Sequence, residues 1–201
     1  MLYAVINIIN GLSYPEGTVD LEFPLKNGNY YIASGGSNKL ANNHTRNVPT
    51  SQQYALDINK IGSWGSVKKS GESTNEAHAI FGEPVYCPCD GRVVNVKTGV
   101  ADNLGSSMDI SVEDGTGNYA EINCNNVIVS FSHLKMGSIK VSVGEKLKQG
   151  DLIGEVGNSG FSQEPHLHFQ AAKYTQDSTL VGIPMRFKGK FLFRNSILKM
   201  N

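Results

Sequence analysis

Residues 138–143, SIKVSV, alternate polar and apolar side chains without a break. Residues 91–96, GRVVNV, form a second short run that is rich in branched side chains. Such runs are typical of β-strands, in which successive side chains point to opposite faces. Glycine-containing pairs that favour turns, such as Asp90-Gly91 and Gly150-Asp151, separate the runs. Since no segment has the apolar spacing of a long helix, the sequence predicts a mainly β protein built from antiparallel sheets.

The length and charge of the chain limit its function. A chain of 201 residues is long enough to bury a core and fits one domain. Its 18 lysines and arginines balance 18 aspartates and glutamates, so the formal net charge is zero. Binding to phosphates or to an anionic membrane surface favours an excess of basic residues. We therefore expect no nucleic-acid partner and no docking to a membrane surface.

The first ten residues are apolar but are interrupted by Asn7 and Asn10. They contain no basic segment, and no small-residue cleavage site follows them, so they do not have the pattern of a signal peptide. They are also too short to span a bilayer. We interpret them as a short strand, and we expect neither a signal peptide nor a membrane span.

The three cysteines are Cys87, Cys89 and Cys124, an odd number that leaves at least one unpaired within the chain. Only one residue separates Cys87 from Cys89, whereas redox and zinc-binding pairs usually have two between them. We favour small, buried, inert residues of strands. A disulfide or a reactive thiol is the alternative, and metal binding by this pair is not expected.

Two segments, residues 33–53 and 62–79, are polar and carry few aliphatic side chains. We predict that both are long loops. Loops on a rigid β scaffold often carry binding and catalytic residues.

The chain has five histidines, and two of them lie two residues apart in His166-Leu167-His168. On a strand, residues i and i+2 point to the same face, so both imidazoles would lie on one surface. Such a pair is either an exposed feature of a solvated sheet or part of a cation site. A catalytic zinc ion typically takes three protein ligands and keeps one position open. His44, in a polar loop, and Asp57, after an apolar run, are candidates for the other ligands.

Several segments, in the right order, resemble the lysostaphin-type zinc metallopeptidases, which cut peptide bonds in bacterial cell-wall peptidoglycan. The resemblance extends from about Asn43 to Ala171. The segments that carry it are residues 84–93 (PVYCPCDGRV), 131–134 (FSHL), 144–160 and 164–169 (EPHLHF). The family implies antiparallel sheets of the duplicated hybrid motif type with long polar loops.

The resemblance also implies how the chain is organised. We expect one metallopeptidase domain over residues 1–201. Within it, N-terminal strands occupy residues 1–32, a catalytic core residues 33–175 and a C-terminal strand extension residues 176–201.

By resemblance, Zn²⁺ is held by His44, Asp57 and His168. The family's usual first motif places its histidine and aspartate four residues apart, whereas His44 and Asp57 are thirteen residues apart. A branch of the family carries an insertion before a Tyr-Ala-Leu-Asp segment, and residues 54–57 match that segment. His78, with Asp90 as its carboxylate partner, is the alternative to His44. Asp90 is explained more simply by an Asp-Gly turn.

The resemblance further implies that His133 and His166 are the catalytic histidines. His166 would act as general base and return the proton to the leaving amine. His133, in its protonated form, would hydrogen-bond the attacking water or the oxyanion. The implied substrate is a peptide of peptidoglycan, and the implied location is the cell envelope or the outside of the cell. The loops do not indicate which peptide bond is cut.

Two other functions fit parts of the sequence. Residues 143–157 resemble strands of biotinyl and lipoyl carriers, but Lys135-Met136 lacks the sequence pattern around a modified lysine. A degenerate peptidase that binds wall peptide or a protein partner without cutting is the other alternative. All five expected site residues are present, which argues for an enzyme.

Overall fold

A computed structural model describes residues 16–45, 50–104 and 110–201. Over these ranges, strands form three sheets, and helix is limited to short 3-10 turns. The prediction of a mainly β protein with antiparallel sheets is confirmed. The strand expected in residues 1–10 lies outside the described residues.

The largest sheet carries the candidate site. Its strands are β2 (Gly28–Ser34), β3 (Leu56–Ile61), β5 (Gly91–Lys97), β6 (Asn118–Cys124), β7 (Val127–Leu134), β8 (Lys146–Leu147), β10 (Leu167–Tyr174), β11 (Leu180–Gly182) and β14 (Ile197–Met200). The spatial order is β14-β2-β3-β10-β7-β6-β5-β8, and β11 also pairs with β10. All of these pairings are antiparallel. Strand β10 therefore lies between β3 and β7, near the middle of the sheet.

Two smaller sheets complete the fold. The first contains β1 (Val19–Leu21), β12 (Met185–Phe187) and β13 (Lys190–Phe191), and the second pairs β4 (Pro84–Tyr86) with β9 (Leu152–Glu155). The β1–β12 pairing is parallel, and the other pairings in these two sheets are antiparallel.

Strand alternation separates the core from the site. Leu167 and Phe169 of β10 are fully buried, and the Phe169 ring lies 5.1 Å from the ring of Phe131 on β7. Because side chains alternate along a strand, His168 and Gln170 point to the opposite face of the sheet. The apolar face thus anchors the strand that presents His168.

The prediction of a strand at residues 138–143 is wrong. This segment belongs to no strand, and it connects β7 to β8. The Lys140 N–H donates to the Ile153 carbonyl at 2.8 Å, but no ladder continues from that bond. Ser138 and Val141, which are three residues apart, are buried, whereas Val143 is 63% exposed. The alternation in the sequence therefore does not correspond to two sheet faces.

The interpretation of all three cysteines as inert thiols is also wrong. Cys89 and Cys124 form a disulfide, and Cys87 alone is free and buried. The pairing joins the turn between β4 and β5 to the end of β6, which lies beside β5. Sequence spacing could not reveal it, because the partners lie 35 residues apart and meet only through the sheet.

The described parts of the two polar segments lie outside the strands as predicted, with modest differences. Strand β2 extends to Ser34, so the first loop starts later than expected. It contains the 3-10 turns Asn43–Thr45 and Thr50–Gln52. The second loop contains the 3-10 turn Asn75–Ala77.

Candidate metal and catalytic site

The site begins with two neighbouring strands. In the β3–β10 ladder, Asp57 lies directly opposite His168, so both side chains project from the same face. The Nδ1 atom of His168 lies 3.1 Å from Oδ1 of Asp57. An antiparallel register fixed by buried Leu56, Ile58 and Leu167 therefore sets this distance.

His44 reaches the same carboxylate from the first loop. It lies in the 3-10 turn Asn43–Thr45, and its Nε2 atom is 2.9 Å from Oδ2 of Asp57. One ligand atom each from His44, Asp57 and His168 lies within 4.8 Å of the other two. Two imidazole nitrogens and one carboxylate oxygen match the donor set of a three-ligand zinc site with an open position. These residues fit a zinc ion.

Asn42 explains how His44 reaches Asp57 despite the long insertion. Its side chain is fully buried, and the two N–H groups of Nδ2 donate to the carbonyls of Gly36, Gln53 and Ala55 at 3.0 to 3.2 Å, so that one N–H is shared by two acceptors. Its Oδ1 atom accepts the backbone N–H of His44 at 2.9 Å. One carboxamide thus ties the turn that carries His44 to the chain just before β3.

Gln170 orients the His168 ring. Its Oε1 atom lies 3.0 Å from Nε2 of His168, on the same strand face. Because a carboxamide oxygen only accepts, this contact places the proton on Nε2. Once Nδ1 loses the proton that it donates to Asp57 in the metal-free protein, its lone pair is available to a metal, as outer partners of ligating histidines commonly arrange.

His166 lies just before β10, on the same face as His168. Its Nδ1 atom is 2.8 Å from the Glu164 carbonyl oxygen, and its Nε2 atom is 3.7 Å from Oδ1 of Asp57. A carbonyl oxygen only accepts, so Nδ1 carries the proton and Nε2 faces the site. We predicted that His166 and His168 lie on one face. The structure confirms this, because both imidazoles lie near the Asp57 carboxylate.

His133 reaches the site through an unusual backbone conformation. Simple alternation from the buried Phe131 would direct His133 into the core. Instead, His133 has φ of 60°, a left-handed value that is uncommon for a residue with a Cβ, and a register shift lies beside it between Asn118 and Ala120. The ring consequently lines the cleft, 4.9 Å from the His166 ring. Strain of this kind concentrates at functional sites.

The turn after β9 holds the His133 ring. Nδ1 of His133 lies 2.7 Å from the Ser159 carbonyl oxygen, so Nδ1 is the protonated atom. The turn packs so closely on residues 115–117 that a Cβ added at Gly160 would lie 2.3 Å from the Gly117 nitrogen. Gly160 also has φ of 78°. Both facts explain why glycine follows Ser159.

The electrostatics of the site favour an ionised Asp57. Burial alone would raise the pKa of Asp57, but hydrogen bonds from His168 and His44 hold that pKa well below its usual value. Burial by itself would lower the pKa of His168, yet the hydrogen bond and charge of Asp57 raise it overall. Asp57 therefore supplies the negative charge that a divalent cation requires.

His133 behaves differently. Burial lowers the pKa of His133 well below its ordinary value, and the charges of His166 and His168 lower it further. This direction favours a neutral imidazole, against the protonated form expected from the sequence. With its proton on Nδ1, a neutral His133 presents an acceptor at Nε2.

An open cleft surrounds these residues. It consists of two adjoining hollows of about 460 and 480 Å³, which share His44, His133, Phe161 and His168. Phe161 is 49% exposed between them. Beyond the shared residues, the first hollow is lined by Gln52, Val112, Gly115, Thr116 and Ser132. The second is lined by Ala33, Asn43, Asp57, Asn59, Gln163, Glu164 and His166.

The structure places the rival pair elsewhere. His78 is buried at the end of the turn Asn75–Ala77 and does not belong to the group formed by His44, Asp57 and His168. The Asp90 carboxylate lies at the β4–β5 turn, where it accepts hydrogen bonds from Nζ of Lys148 and from the backbone of Gln149.

Sequence reasoning missed several residues that shape the site. Gln170 had a usable signal, since it follows His168 by two residues on a predicted strand. Asn59 had the same signal, since it follows Asp57 by two residues. Asn42 and Ser159 had none, because their roles depend on contacts between distant segments. Among the described residues, no helix has the length and apolar character needed to cross a bilayer.

Comparison with known proteins finds peptidases among the relatives of this chain. The chain is 27% identical over 144 residues to peptidoglycan DD-endopeptidase ShyC of Vibrio cholerae, covering 71% of this chain and 29% of that protein. It is 32% identical over 107 residues to lysostaphin of Staphylococcus simulans, covering 53% and 19%. The chain thus spans less than a third of the length of these relatives.

A solved structure from Ruminococcus gnavus, described as a glycyl-glycine endopeptidase lytM, shares the fold. It superposes with a TM-score of 0.51 at 16% identity, over 81% of this chain and 56% of that one. The sequence model of peptidase family M23 matches residues 71–179, more than half of the chain, and this range contains His133, His166 and His168. His44 and Asp57 lie before it and are linked to the rest by the geometry above. The chain belongs to peptidase family M23.

Proposed function

We propose that the protein is a zinc-dependent endopeptidase that hydrolyses peptide bonds in bacterial peptidoglycan. The observation that carries the proposal is the convergence of His44, Asp57 and His168 on one point in an open cleft. Membership of the M23 peptidases and a relative that is named a peptidoglycan DD-endopeptidase support the same reaction and substrate.

In this proposal the five site residues divide into two groups. His44, Asp57 and His168 hold zinc, which, when bound, acts as a Lewis acid on the scissile carbonyl and acidifies water. His166 takes a proton at Nε2 and later delivers it to the leaving amine. Its Nδ1 contact with the Glu164 carbonyl keeps Nε2 directed at the site. His133 accepts a hydrogen bond at Nε2 and so orients the attacking water.

The proposed location is the cell envelope or the outside of the cell, where peptidoglycan lies. The disulfide between Cys89 and Cys124 supports this location, because disulfides persist in oxidising compartments.

Digestion of purified peptidoglycan tests the proposal. We expect the zinc-loaded protein to release new amino and carboxyl termini, identified by mass spectrometry, and a chelator to stop the release. His166→Ala should keep its zinc and lose about 100-fold or more in rate, the contribution of a general base. Asn29→Ala, an exposed change on neighbouring β2, serves as the control and should match the wild type. Stoichiometric zinc without any new termini would refute an enzyme and favour the non-cutting, peptide-binding alternative.

A further inference from the structure

Asn59 lies in the cleft beside the proposed catalytic residues. It follows Asp57 by two positions on β3, so both side chains share one face of the sheet. In the β3–β10 ladder Ile58 pairs with Leu167, which places Asn59 next to His166. Asn59 also lines the second hollow of the cleft, together with Asn43 and Glu164.

The carboxamide of Asn59 is incompletely satisfied. The residue is only 4% exposed, and its Oδ1 atom is buried without a hydrogen-bond partner. Buried polar atoms nearly always have a partner, because an unpaired one destabilises the fold. A leucine of similar size would avoid the penalty. The polar group at this position therefore disfavours the free protein and requires another explanation.

We propose that Asn59 is a substrate-binding residue whose carboxamide pairs with a backbone peptide group of the bound chain. Its oxygen accepts the substrate N–H. A carboxamide carries both a donor and an acceptor, as a peptide group does. The terminal torsion of asparagine is broad, so the carboxamide can rotate and present its oxygen to the cleft. This inference rests on the proposed function, since it assumes a peptide in this cleft.

The position of Asn59 also determines which part of the substrate it contacts. It lies on the side of the proposed metal site that His166 and Glu164 occupy, away from Val112 and Thr116 of the first hollow. The pairing therefore holds the substrate on the His166 side of the scissile bond. Such a contact positions the peptide without moving a proton.

Co-sedimentation with purified peptidoglycan tests this inference independently of turnover. The zinc-loaded His166→Ala protein is compared with the double variant that also carries Asn59→Leu. Loss of one hydrogen bond predicts about tenfold weaker binding. Zinc content should not change, and the midpoint of thermal unfolding should stay equal or rise, because an unpaired buried acceptor has been removed. Asn59→Ala provides a second variant if the leucine does not fit, and Asn29→Ala is the matched surface control.

The outcomes separate the two proposals. Unchanged binding by the Asn59 variants would overturn the role of Asn59, even if the wild type digests peptidoglycan. If the Asn59 variants bind more weakly but the wild type releases no termini, the role of Asn59 is supported and the proposed enzyme activity is refuted. A fall in zinc content or a lower unfolding midpoint in both variants would show a structural or metal-binding role and overturn the inference. In the active background, Asn59→Leu should raise KM about tenfold and change kcat less.

Discussion

Substitution of Asn42 tests how the 3-10 turn that carries His44 is held in place. Replacing Asn42 with alanine removes the group that bonds the carbonyls of Gly36, Gln53 and Ala55 and the backbone N–H of His44. The side chain is fully buried, so water does not readily replace these bonds. At roughly 1 kcal/mol for each of three or more hydrogen bonds, the free energy of unfolding should fall by about 3 kcal/mol.

The same change should weaken metal binding, because His44 is the ligand carried by the released turn. Urea unfolding of the chelator-treated protein measures the stability, and competition with a coloured chelator measures the zinc affinity. We expect the zinc Kd to rise by at least tenfold, while excess zinc restores the hydrolysis of peptidoglycan. Asn29→Ala, an exposed asparagine on β2, should change the unfolding free energy by less than about 0.5 kcal/mol.

Two results would refute this reasoning. An unfolding free energy of Asn42→Ala within about 0.5 kcal/mol of the wild type would show that the buried hydrogen bonds contribute little. A large loss of stability with an unchanged zinc Kd would show that the turn holds His44 without Asn42.

Two further predictions concern regions away from the cleft. Replacing both Cys89 and Cys124 with serine removes a cross-link between residues 35 positions apart. The free energy of unfolding, measured in urea, should fall by about 3 to 4 kcal/mol. An unchanged urea midpoint of the wild type after addition of a reductant would show that the cross-link does not contribute. Burial lowers the pKa of His78 below its ordinary 6.5. Below pH 6.5 the unfolded chain therefore binds a proton more readily than the folded chain does. The free energy of unfolding consequently declines as the pH falls. The stability advantage of wild type over His78→Gln should therefore shrink from about pH 7.5 to about pH 5, by at most about 1.4 kcal/mol per pH unit; an advantage that is constant with pH would contradict this.

The sequence predicted the parts of the site that depend on local periodicity. His166 and His168 share a face because strand geometry relates residues two apart, and the same rule applied to β3 would have found Asn59 beside Asp57. Residues 164–169 carry this signal within one short segment. The mainly β class followed from short branched runs between glycine turns.

Other features were beyond local reasoning because they depend on long-range contacts. The alternation of residues 138–143 suggested a strand, but no neighbour continues its ladder. Alternation would also bury His133, whereas its positive φ brings the ring into the cleft. The disulfide and the bonds of Asn42 join segments that approach each other only in the folded sheet.

The zinc content of two histidine variants tests the central claim most directly. Metal analysis after dialysis should find one zinc per chain in the wild type and in His78→Ala, and none in His44→Ala. The His44 imidazole lies 2.9 Å from Asp57, whereas His78 lies outside the group. Full zinc in His44→Ala together with its loss in His78→Ala would contradict the account.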